Sequence, residues 1–132
     1  MRELNSYDYA LIRVVPSVER GECLNVGVIL FCRTLCFLGV RIHLDAARIH
    51  ALAPDLDLDA VQQQLDTIVQ ICRGGPEAGL MGQMSEAERF HWLVSPRSTI
   101  IQVSPVHLGL CSDAEATLEH LLKTMVYHEA NT

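Results

Sequence analysis

Residues 23–43 read CLNVGVILFCRTLCFLGVRIH. Two apolar runs, 23–32 and 36–43, flank a short RTL segment, and both are rich in β-branched and aromatic residues. This is the pattern of an antiparallel hairpin. Directly opposed residues of an antiparallel pair share a face, so side-chain parity predicts the register. With Cys32 opposite Cys36, Leu30 meets Leu38, Val28 meets Val40 and Val26 meets Ile42. A slip of one residue would place Gly39 and Arg41 among these apolar positions. Residues 7–15, YDYALIRVV, form a third run closed by Pro16. The same parity adds Ala10, Ile12 and Val14 to the apolar face. The expectation is a three-stranded antiparallel meander with Ala10, Ile12, Val14, Val26, Val28, Leu30, Leu38 and Val40 on one buried face.

The other face is mixed. It carries Tyr7, Tyr9, Leu11 and Arg13, then Asn25, Gly27, Ile29 and Phe31, then Phe37, Gly39, Arg41 and His43. Helices follow. LDAARIHAL predicts a short helix capped by Asp45 and ended before Pro54. From Asp57 the apolar positions Leu58, Val61, Leu65, Ile68 and Cys72 step by three and four, an amphipathic helix stopped by GGP. Residues 74–84, GGPEAGLMGQM, read as a loop. SEAE at 85 opens a helix with Phe90, Trp92 and Leu93 as a capping box, and STIIQV at 98–103 reads as a fourth strand. SDAE at 112 opens a last helix that turns Leu118, Leu121, Leu122, Met125 and Val126 inward. The fold class expected is α+β: a three- to four-stranded antiparallel sheet with helices packed on one face. The 132 residues are read as a single domain, 1–132.

The chain is 49% hydrophobic and 20% charged, with a net charge of -6. An acidic balance argues against free nucleic acid or an anionic membrane as a general partner. The start, MRELNSYDYA, has no apolar leader core, and no apolar run approaches the roughly 20 residues of a membrane span. Five cysteines without CxxC spacing read as free thiols of a cytoplasmic protein. The six histidines form no HExxH and no Cys/His ligand set, so no metal and no cofactor is expected. Asp55, Asp57 and Asp59 precede a helix and complement its dipole.

Two stretches could carry recognition chemistry. In RVVPSVERGECLNVG, Pro16 and Gly21 bracket a hairpin loop bearing Glu19, Arg20 and Glu22. Arg13 falls opposite Asn25, and with Arg41 and His43 makes a polar stripe on the second face. Arginine offers forked donors to a carboxylate or phosphate, and asparagine offers both a donor and an acceptor. Gly27 and Gly39 would let a ligand or a backbone approach. The structural alternative has Arg13 paired with Glu22 or Asp8, Asn25 bonded to the loop, and the glycines accommodating twist or a bulge. In SPRSTIIQVSPV, Arg97 and Gln102 could extend the stripe, or serve a turn and a helix end.

The segment YDYALIRVVPSVERGECLNVGVILF, and STIIQVSPV followed by a terminal helix, resemble the bacterial family called domain of unknown function 3037. The specific residues are Arg13, Pro16, Arg20, Gly21, Glu22, Asn25, Val26 and Gly27, then Gln102, Ser104 and Pro105. The resemblance implies a small bacterial cytoplasmic protein and, as a partner, a HipA-like kinase. It assigns no catalytic residue. The function expected is a non-enzymatic binding or adaptor domain that engages a protein partner or an anionic small molecule. Arg13, Arg20, Glu22, Asn25, Arg41, Arg97 and Gln102 are its candidate binding residues. The alternative is a small enzyme acting on a phosphorylated or nucleotide-like substrate, with Arg13, Arg20 and Arg97 as anion clamps and Glu22 as acid or base. A third reading makes the mixed face a homodimer interface.

Overall fold

The structure, a computed structural model, describes residues 3–17, 19–96 and 99–127. Five strands, β1 (Asn5–Val14), β2 (Leu24–Cys32), β3 (Phe37–Ile42), β4 (Ile101–Val103) and β5 (His107–Cys111), form one antiparallel sheet. The order is β3-β2-β1, with β4 and β5 placed end to end along the free side of β1. Four helices accompany it: α1 (Ala46–Leu52), α2 (Leu58–Arg73), α3 (Glu86–Leu93) and α4 (Ala114–Met125). The class is α+β. The stretch expected as a loop holds a 3₁₀ segment, Pro76–Gln83, interrupted at Gly79.

The helix starts follow their sequence signals. Asp45 accepts from Arg48 N, and Asp57 from the N–H groups of Asp59 and Ala60. Ser85 and Glu88 form a reciprocal capping box. At α4 the cap is Asp113, one residue later than the SDAE reading, and its carboxylate accepts from Ala116 N.

The register differs from the parity expectation by one residue. Cys32 pairs with Phe37, Leu30 with Gly39 and Val28 with Arg41. The cause is the turn. Cys36 takes a left-handed conformation (φ 53°) and its N–H donates to the Arg33 carbonyl at 3.1 Å, so the loop has four residues rather than three. A second irregularity offsets the first. Between β1 and β2, Ile12 faces Gly27 but Arg13 faces Asn25, a β-bulge that leaves Val26 without a partner on β1. Below the bulge Leu24 and Val26 face the same side as Ile29 and Phe31 above it.

The predicted single core face is therefore two faces. Ile12, Val14, Val26, Ile29 and Phe31 pack with Ile49 of α1, with Val61, Leu65, Ile68 and Cys72 of α2, and with Phe90 and Leu93 of α3. Leu11, Val28, Leu30 and Cys32 pack on the other side against Leu118, Leu121 and Leu122 of α4. Helices cover both faces, not one, because every residue from Val26 to Cys32 is apolar or glycine and neither side of β2 can be left to water.

Gly27 and Gly39 are required by this packing. A Cβ on Gly27 would lie 2.9 Å from the Arg41 carbonyl oxygen, and one on Gly39 would lie 2.6 Å from the Phe37 ring and 3.0 Å from Leu118. The space at Gly39 is filled by the chain itself. Where β4 gives way to β5, Pro105 has no N–H to offer. Ser104 serves there instead: Leu11 N donates to its Oγ at 2.8 Å, and its own N–H donates to Leu11 O at 2.8 Å.

Gly27→Ala is expected to cost about 1–3 kcal/mol, because the clashing atom belongs to the backbone of β3. Val28→Asp, which places a carboxylate between β2 and α4, should leave no cooperative transition. Urea unfolding followed by circular dichroism checks both, and wild-type midpoints would refute the bulge and the two-sided burial respectively.

Candidate functional site

The bulge sets the geometry of the polar stripe. Arg13 stands between Asn25 on one side and Gln102 on the other, a row across β2, β1 and β4. Arg13 Nε donates to Asn25 Oδ1 at 3.2 Å. Asn25 Nδ2 in turn donates to the Met125 carbonyl at 3.1 Å. The last carbonyls of a helix have no partner within it. Asn25 meets this need at the end of α4, aided by Arg48, whose Nη1 reaches Val126 O at 3.4 Å. The His43 ring meets the Tyr127 ring edge-on at 4.5 Å beside this helix end.

Arg41 lies under the start of the same helix. Its Nε donates to Glu119 Oε1 at 2.6 Å, and an Nη group pairs with Glu115. The other Nη donates to the Val40 carbonyl at 2.9 Å. Gln102 Nε2 donates to Thr99 O at 3.1 Å. Arg13, Asn25 and Arg41 thus hold α4 onto the sheet. Sequence reasoning did not identify Glu115 and Glu119, because the sheet face against which α4 would pack is not written in α4.

Arg20 and Glu22 stand apart from that row. They form an ion pair on the loop joining β1 and β2, with side chains 73% and 44% exposed. Gly21 between them has φ 72°, and nothing lies within 4 Å of the position a Cβ would take. Pro16, Ser17, Arg20 and Glu22 face Leu52 and Ala53 at the end of α1 across a cavity of about 190 Å³. An acid or base in a cleft between arginines is not what Glu22 resembles here: it is half-exposed and bonded to one guanidinium. Arg97 lies outside the described residues.

Arg89 was missed altogether. It is the one buried charged side chain among the described residues. Its Nη1 donates to the carbonyls of Ile71 and Cys72 at 3.0 and 2.7 Å, and its Nε to Met84 O at 3.1 Å. It closes the end of α2, and Gly74 gives it room, since a Cβ there would fall 2.8 Å from the guanidinium. Its place on the apolar stripe of α3, one turn before Leu93, is the signal that could have revealed it.

No group of three or more metal-ligating side chains occurs among the described residues. All five cysteines are free, with Cys23 and Cys36 exposed and Cys32, Cys72 and Cys111 buried. Burial pushes the Cys72 thiol up to about 12, against an opposing pull from Arg89. No helix among the described residues is long and apolar enough to cross a membrane.

Comparison with protein-family models matches residues 9–126 to "Protein of unknown function (DUF3037)", and the chain belongs to that family. No curated protein and no solved structure matches it.

Asn25→Ala should lower stability by about 1–2 kcal/mol, since it removes the donor to Met125 O. Hydrogen exchange should speed first in the last turn of α4, and unchanged exchange there would refute the clamp. Thiol titration should count two fast cysteines in the native chain and five in denaturant. Because the Cys72 value is raised on folding from near 9, its contribution is whole below pH 9 and falls away as pH rises toward 12. Melting curves across that range check the sign.

Proposed function

We propose that this family member is a binding domain that engages a protein partner through the loop between β1 and β2. The observation that carries the reading is the Arg20–Glu22 pair, displayed on an open loop around a glycine. An exposed pair of this kind contributes at most about 1 kcal/mol to the fold. Stability therefore gives little reason to put both charges there, whereas a partner surface gives a good one.

Size favours a macromolecule over a small ligand. The adjoining cavity of about 190 Å³ is smaller than the roughly 300–1,000 Å³ of small-molecule sites. It accommodates one side chain of a docked partner, with Leu52 as an apolar wall and Arg20 and Glu22 at the rim. Arg41 is committed to α4 and Arg13 to Asn25, which leaves the loop as the accessible part of the segment. A HipA-like kinase in the bacterial cytoplasm is the first partner to assay.

Arg20→Glu and Glu22→Arg should each reduce recovery of a co-expressed HipA-like kinase at least tenfold, while the melting temperature moves by no more than about 3 °C. The double reversal restores the intramolecular pair but sets each charge against a like charge on the partner, so it should not recover the loss. Equal recovery by wild type and both single variants would overturn the loop as the binding surface. Mass spectrometry of proteins that co-purify with the wild type and not with Glu22→Arg extends the assay beyond the kinase.

A further inference from the structure

Two of the outer strands of the sheet, β3 and β5, are treated differently. On β3 the Arg41 guanidinium caps the Val40 carbonyl and is itself held by Glu119 and Glu115. A charged side chain at an edge is a common guard against pairing with another strand. Strand β5 has no such guard. Its sequence, HLGLC, contains no Lys, Arg, Asp, Glu or Pro. It pairs with β1 on one side, and no further strand among the described residues pairs with its other side.

The side chains of β5 point the same way. Leu108 and Leu110 are 78% and 65% exposed. Their partners across β1 are Asp8 and Ser6, so both leucines lie on the face that α2 and α3 cover elsewhere. Val106, also exposed, precedes them in the chain, and the exposed Leu4 precedes Asn5, the partner of Cys111 on β1. The opposite face of β5 is flush: a Cβ on Gly109 would meet the Tyr7 ring at 2.5 Å.

We infer that β5 is a homodimer interface, pairing antiparallel with β5 of a second copy about a two-fold axis at Gly109. That register sets Leu108 against Leu110 of the copy, and Leu110 against Leu108, two cross-strand leucine pairs from one short strand. The strand's symmetry selects the occupant, since Leu108 and Leu110 are equivalent about Gly109 and the strand matches itself, and its lack of charge eases the approach. Two chains of net charge -6 repel, and a strand without charges is where they approach at least cost. Area sets the strength. A standard interface takes about 800 Å² per partner, roughly a tenth of a surface of 7966 Å². One five-residue edge with its leucines supplies less, so the dimer is weak.

Sedimentation velocity from about 1 to about 300 µM tests this directly. The wild type should pass from monomer to dimer, and Leu108→Lys/Leu110→Lys should stay monomeric throughout with an unchanged melting temperature. Both leucines are exposed, so the variant keeps its fold. Independently, hydrogen exchange of the wild type at the two concentrations should show slowing confined to residues 107–111. A wild type that stays monomeric, a lysine variant that still dimerises, or slowing that spares β5 would each overturn the proposal.

Discussion

Strand β2 lies inside the molecule on both of its faces, and most of the structure follows from that. Its residues from Val26 to Cys32 are all buried, so its two sides need separate covers. α1, α2 and α3 close one side and α4 closes the other. A strand buried on both sides cannot alternate apolar with polar, and its register must be fixed by something other than burial pattern. Here two local devices fix it: the left-handed Cys36 in the turn before β3 and the bulge at Val26 and Gly27. The bulge also aims Asn25 at α4 while keeping Val26 in the opposite core. Glycine is needed beside it because the β3 backbone passes too close for any side chain.

This explains what could be read in advance. Four strands, four helices and most of their caps were legible, since apolar spacing and capping residues are local signals. The inward positions of α2, from Leu58 to Cys72, were legible for the same reason. Register was not. In VGVILFC both parities are apolar, so the pairing that set Cys32 against Cys36 and the one that sets it against Phe37 satisfied the hydrophobic pattern nearly equally. Gly39 and Arg41 counted as evidence against the true register, yet they face α4, where a glycine admits Leu118 and the arginine finds two glutamates. Strand β5 escaped notice because HLGLC is short and has no β-branched residue to mark it.

The candidate residues divide along the same line. Arg13, Asn25 and Gln102 were correctly grouped as a row, but Asn25 in that row serves the end of α4, and a helix terminus needs the donors that a ligand would. Asparagine suits both readings, and only the position of α4 separates them. Arg20 and Glu22 were grouped with that row by proximity in sequence, although the loop carries them away from it. Arg89 went unnoticed because an arginine on a short helix normally points to water. Its burial depends on a helix end, that of α2, supplied from earlier in the chain.

Closing both faces of the sheet restricts where this chain can meet another molecule. Both faces of β2 are committed to helices, and the β3 edge is capped by Arg41. Two places among the described residues stand out: the Arg20–Glu22 loop and the β5 edge. They lie toward opposite ends of β1. Gly109 sits beside Tyr7 and the loop follows Val14, seven residues on, or about 23 Å at the rise of an extended strand. A two-fold axis at Gly109 therefore turns one loop away from the other, with roughly 45 Å between them. Pairing through β5 neither covers the loop nor competes with it. It would present two copies of the loop to a partner that is itself dimeric, and the second contact would then form at the effective concentration set by the first. A weak edge and a modest loop suit that use, because each gains strength from the other without a larger interface on either.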